Sequence, residues 1–122
     1  MTAELCEAVR KHVRYYTPDE NEETRAQRNI RFGHAVPKII IPPRGLHVWE
    51  WFLDSVELKS DHCDIHAAKD WLAWQKLTGA IIHAREWRVL REMDKSYVIE
   101  MRKERRDLQV RLSEKNDNGR HR

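Results

Sequence analysis

The chain has 122 residues, 40% of them hydrophobic and 35% charged, which suits one domain with a modest core. Its longest apolar run, Ile39-Ile40-Ile41, is too short for a membrane-spanning helix, the opening MTAELCEAVRKH lacks the apolar stretch of a secretory signal, and Cys6 and Cys63 cannot make a disulfide framework. The formal net charge of +3 sits at one end: residues 101–122 hold eight Lys/Arg against four Asp/Glu, leaving a nearly neutral body that argues against a nucleic-acid partner for the domain itself.

Leu5, Val9 and Val13, four apart with Cys6 beside them, predict an amphipathic helix over residues 3–15. Thr17-Pro18-Asp19-Glu20 carries a capping signature, so a second, mostly surface helix is expected from there to Gly33. Pro37, Pro42 and Pro43 around the isoleucine triplet mark an extended connector over 34–45, with no partner strand and therefore no sheet.

Helical period returns at Leu46. Val48, Trp49, Phe52, Leu53 and Val56 form a broad apolar stripe, with Trp51 off it. Lys59-Ser60-Asp61 should break this helix, and Asp61 or Asp64 can cap the next. In that helix Ile65, Ala68, Trp71, Leu72 and Leu77 are expected to face inward, Trp74 widens the stripe, and Gly79 is the expected stop. A last helix should begin near His83–Ala84 and run past Lys103, with Leu90, Met93, Tyr97, Met101, Leu108 and Leu112 on one face. Beyond Met101 the chain is charged nearly all round, and NDNGRHR is expected to be disordered.

The expected fold is thus all-α, a small orthogonal bundle of four or five helices. Residues 1–101 form one domain, comprising N-terminal helices (1–33), the connector (34–45) and a Trp-rich core (46–101), and 102–122 form a charged, partly disordered extension. The expected core is Val48, Trp49, Phe52, Leu53, Trp71, Leu72, Leu77, Leu90 and Met93. All five tryptophans lie between His47 and Tyr97. Trp51 and Trp74 stand on the shoulders of their stripes, and with Trp87, Tyr97 and Met101 they are the candidates for gripping a partner. Trp87 fits the core period as well, and both roles stay open for it.

Nothing in the sequence carries catalysis. Asp61, His62, Cys63, Asp64 and His66 are the one cluster of metal-ligand types, but no Cys-x-x-Cys pair accompanies them, and loop and cap residues are the ordinary reading. Cys63 beside His62 and His66 lacks a glycine-rich segment to form an oxyanion site. No cofactor is expected. Trp71 to Lys95, helix–turn–helix in outline, leaves a small DNA-binding regulator as the alternative, with His83–Arg91 in a major groove, although two helices joined at a glycine are a common all-α connection.

Residues 41–98 resemble the small tail assembly chaperones and tail-morphogenesis proteins of long-tailed bacteriophages. The likeness rests on Ile41-Pro42-Pro43, then Trp49, Trp51 and Phe52, then a helix leading to Trp74 and Leu77-Thr78-Gly79, then Arg85, Glu86, Leu90, Arg91, Met93, Asp94 and Tyr97. The resemblance implies a non-enzymatic helical protein of the host cytoplasm. It would coat the tape-measure protein, recruit tail-tube protein and self-associate. Residues 1–40 and 102–122 lie outside it.

Overall fold

The structure is a computed structural model that describes residues 1–120, with side chains described through residue 117. It is all-helical: five α-helices and one 3-10 turn, with no strand among the described residues. In order they are α1 (Thr2–Tyr16), α2 (Arg25–Arg31), the 3-10 turn Pro43–Gly45, α3 (Leu46–Val56), α4 (Ala68–Thr78) and α5 (Ala84–Arg120).

The core is a seam between α1 and α5, closed by α3. Leu5, Val9 and Val13 of α1 meet Leu90, Met93 and Val98 of α5 in one cluster, and Val48 and Phe52 of α3 complete it. Each such side chain contributes roughly 1.5–3 kcal/mol when removed from water. α1 ends beside the middle of α5, where the Thr17 hydroxyl approaches the Met101 sulfur at 3.8 Å. Gly45 lets α3 begin close against α1, since a Cβ there would stand 3.0 Å from a Leu5 methyl.

The segment after α1 departs from expectation. Thr17 closes α1, its N–H returning to the Val13 carbonyl. The Asp19 carboxylate takes the N–H groups of Asn21 and Glu23 at 2.8 and 3.0 Å, which builds a turn where a helix was expected. Those two amides, Glu23's first, together with Arg28 hold that carboxyl below its usual range. The capping box lies seven residues later, between Thr24 and Gln27. Arg25 then pairs with Glu104, and Arg111 with Glu20 at 3.1 Å, tying this segment to α5.

α4 is also placed differently. Neither Asp61 nor Asp64 caps it. Its first turn is closed by Asp70, whose carboxylate accepts the Ala67 N–H at 2.8 Å. Gly79 ends it at φ +74, the left-handed conformation that costs other residues roughly 1–2 kcal/mol. Ile65, Ala68, Leu72 and Leu77 do not face inward: the three large ones are 58, 60 and 82% exposed, and Ala68 is exposed too. Ile65 lies in the connector before α4 begins; for the others the reason is that α4 touches the body along a narrow strip made by Trp71 and Trp74, and among the described residues no helix packs against it as α1 and α3 pack against α5.

α5 is 37 residues long, about 55 Å at 1.5 Å per residue. Of the segment expected to be disordered, residues 116–120 are helical, because extending an existing helix fixes one residue per added bond and needs no new nucleus. Residues 121–122 lie outside the described residues.

Candidate functional site

The Trp-rich segment folds into a framework of aromatic rings, a polar lock behind it and two grooves beside α4. Trp49 and Trp71 are buried, and Leu53 is half-buried against the core. Trp74 is buried as well, 4% exposed, so it belongs to the framework and is not the surface anchor its position suggested. Its indole N–H donates to Asp54 at 2.7 Å, and its ring meets the half-buried Trp51 at 6.1 Å and 66°. Trp51 also takes the edge of His47 at 5.0 Å. Aromatic pairs in this geometry add roughly 0.5–1.5 kcal/mol beyond their buried area. The pair locks α4 onto α3.

Trp87 is half-buried with the Arg91 guanidinium 4.8 Å over its ring, and Met101 is half-buried at the end of α1. Tyr97 is 6% exposed and sits edge-on to Phe52, so it too is a core residue and no free anchor. The five candidates are therefore not one surface. Trp51 and Trp74 stand together, Trp87 lies on the other flank of α4, Tyr97 stands against Phe52 and His62, and Met101 lies at the end of α1.

The polar lock was not foreseen. Lys59 and Asp94 form an ion pair at 2.8 Å with side chains 2 and 3% exposed. Asp94 also accepts the His66 N–H at 2.7 Å, and Lys59 donates to the Asp64 carbonyl at 2.7 Å. Tyr97 and His62 Nδ1 share a hydrogen bond of 2.6 Å, and His66 Nε2 reaches the Ser55 carbonyl at 3.0 Å. These bonds fasten the whole 59–66 connector onto α3 and α5. The signal in the sequence was a single acid, Asp94, beside Met93 in the apolar stripe of α5; its partner, distant in the chain, left none.

In this setting the cluster at 61–66 has structural roles. Asp61 takes the Cys63 N–H at 2.8 Å and Arg105 at 3.1 Å; that amide first, then Arg105, hold its carboxyl below the usual range. Cys63 is buried and unbridged. Among the described residues no group of three or more His, Cys, Asp or Glu is placed to hold a metal ion, and no helix is long and apolar enough to cross a membrane.

Burial pushes the Tyr97 phenol up to about 12, with Asp94 and Cys63 adding to the effect. The phenolate is thus disfavoured in the fold relative to the unfolded chain, where the value is 10.0. Stability should be unaffected by this group below about pH 10 and should fall as pH rises through 12. Urea titrations across that range check it, with Tyr97→Phe removing this part of the fall.

The grooves flank α4. One, of about 350 Å³, lies between the Leu58–His66 connector and the Asp70–Leu77 side of the helix, with Trp71 and Trp74 in its wall. The other, about 290 Å³, lies between Leu72 and Gln75 of α4 and Ile82 and Trp87. Leu58, Ile65, Leu72 and Leu77, 58–82% exposed, line them. No protein-family model, no curated protein and no solved structure matches the chain.

Proposed function

We propose that the protein is a non-enzymatic assembly chaperone of a long-tailed phage, binding the tape-measure protein or tail-tube subunits in the host cytoplasm through helix–helix contacts. The observation that carries this reading is the apolar surface left uncovered on both flanks of α4: four large aliphatic side chains around two grooves, inside the segment that resembles the chaperones. Exposed apolar clusters of this kind mark sites where another chain docks. A coat for a long helical protein needs such surface, and many weak contacts repeated along one target provide avidity.

The residues of the resemblance fit this division of labour. Pro42 and Pro43 start the turn into α3, and Gly79 ends α4. Glu86 accepts the His83 N–H at 3.0 Å and meets His47 at 2.6 Å, and Asp94 anchors the 59–66 connector. They shape the framework and leave its aliphatic rim free for a partner.

Co-expression with a tape-measure protein is the direct test. A several-fold rise in its soluble fraction, with co-elution of the two, is expected; no rise and no co-elution overturn the reading. The DNA-binding alternative needs the first turns of α5 in a major groove. There Glu86 is engaged by His47, and Arg91 lies over Trp87. Steep, salt-dependent and sequence-specific duplex binding would favour that alternative.

A further inference from the structure

The two grooves beside α4 differ in charge. Around the one below Leu77, the three carboxylates Asp61, Asp64 and Asp70 stand at the rim. Its lysine, Lys59, is buried against Asp94 and offers no positive charge to an incoming chain. Arg105 and Arg102 of α5, which do not line the groove, reach Asp61 and Asp64 at 3.1 and 4.0 Å; Asp70, on the α4 side, has no arginine or lysine partner among the described residues and stands 3.8 Å from His66 Nδ1. Leu58 and Ile65 rise from the connector and Leu77 from α4 around this one concavity. The surface is a trough of mixed lining with aliphatic side chains on both sides and carboxylates on both edges, Asp61 and Asp64 on the connector and Asp70 on α4.

We infer that this trough is the docking site for a basic amphipathic helix of a partner protein. The helix lays an apolar stripe between Leu58, Ile65 and Leu77 and sets lysines or arginines against Asp70 and Asp64. The inference deepens the chaperone reading and rests on it for the identity of the partner. The physical content is charge complementarity added to helix-in-groove packing: apolar contact supplies affinity, and the acidic edges select the helix by sign and fix its direction. The groove of Leu72 and Trp87, whose lining carries no charged residue, lacks that selection.

The probe is a labelled 18-residue amphipathic helix of leucine and lysine, compared with the same helix carrying glutamate for lysine, in anisotropy titrations against the full chain. The lysine helix should bind and the glutamate helix should bind at least about tenfold more weakly. Leu77→Asp and Leu58→Asp should each weaken the lysine helix roughly tenfold, as loss of a central apolar contact does. Both substitutions add a carboxylate, so unspecific attraction of opposite charges would instead strengthen binding. Leu72→Asp makes the same change on the opposite flank and should leave the affinity within about twofold. All three side chains are exposed, so folding is retained.

Equal binding of the two helices, or binding indifferent to Leu77→Asp, overturns the inference. So does a dimer of the protein alone that Leu77→Asp dissociates, which would assign the trough to a second copy. The two proposals fail separately: a tape-measure protein kept soluble equally well by the Leu77→Asp variant defeats the trough and leaves the chaperone standing. A trough that takes the lysine helix beside a tape-measure protein that stays insoluble does the reverse.

Discussion

Replacing Asp94 by alanine is expected to destabilise the protein by about 3–5 kcal/mol, because it leaves the Lys59 ammonium buried without a counter-charge. Lys59 and Asp94 are 2 and 3% exposed, and among the described residues the Asp94 oxygen facing Lys59 has no partner but that ammonium. Asp94→Asn should cost nearly as much, although its amide oxygen can still accept the His66 N–H. The informative comparison is Lys59→Met with Asp94→Leu. Removing both charges together should recover most of the loss, since buried ion pairs are often no better than apolar residues of like volume. Recovery should stay incomplete by about 1–3 kcal/mol, the cost of an unsatisfied amide, because the His66 N–H loses its acceptor. Urea denaturation of the single and double variants measures all of these.

Phe52→Ala should cost about 3–5 kcal/mol, the usual loss for a fully buried ring. Phe52 is 0% exposed where α3 closes the seam between α1 and α5, edge-on to Tyr97 at 5.8 Å. A loss that large is comparable to the whole stability of a small domain, so the variant should be substantially unfolded without denaturant if the parent lies near the lower bound of about 5 kcal/mol. Circular dichroism and a urea midpoint check this. A loss under about 1 kcal/mol would mean that α3 is not a core element.

These variants touch opposite ends of what the sequence made legible. The helices α1, α3 and α5 could be read because their buried positions repeat at helical spacing, as Leu5, Val9 and Val13 do. The start of α2 was misplaced because Thr17 and Thr24 both carry an N-terminal signature; only the turn built by Asp19 decides between them. Leu72 and Leu77 were misplaced for another reason: period says which residues share a face, not how wide a strip the neighbours cover. Two indoles three residues apart suffice to hold α4, and its leucines are left on the flanks. Lys59–Asp94 depends on contacts between residues far apart in the chain, which no local pattern encodes.

The pairing of α1 with α5 bears on the order in which the molecule can assemble. Thr17 meets Met101, and Arg25 meets Glu104, across 84 and 79 positions. Closing so large a loop carries an entropic penalty that short-range helical bundles avoid, so this protein should fold more slowly than its helix content alone would suggest. During synthesis, α1 emerges from the ribosome long before the helix that shelters Leu5, Val9 and Val13, and its greasy side stays wet until the last third of the chain arrives.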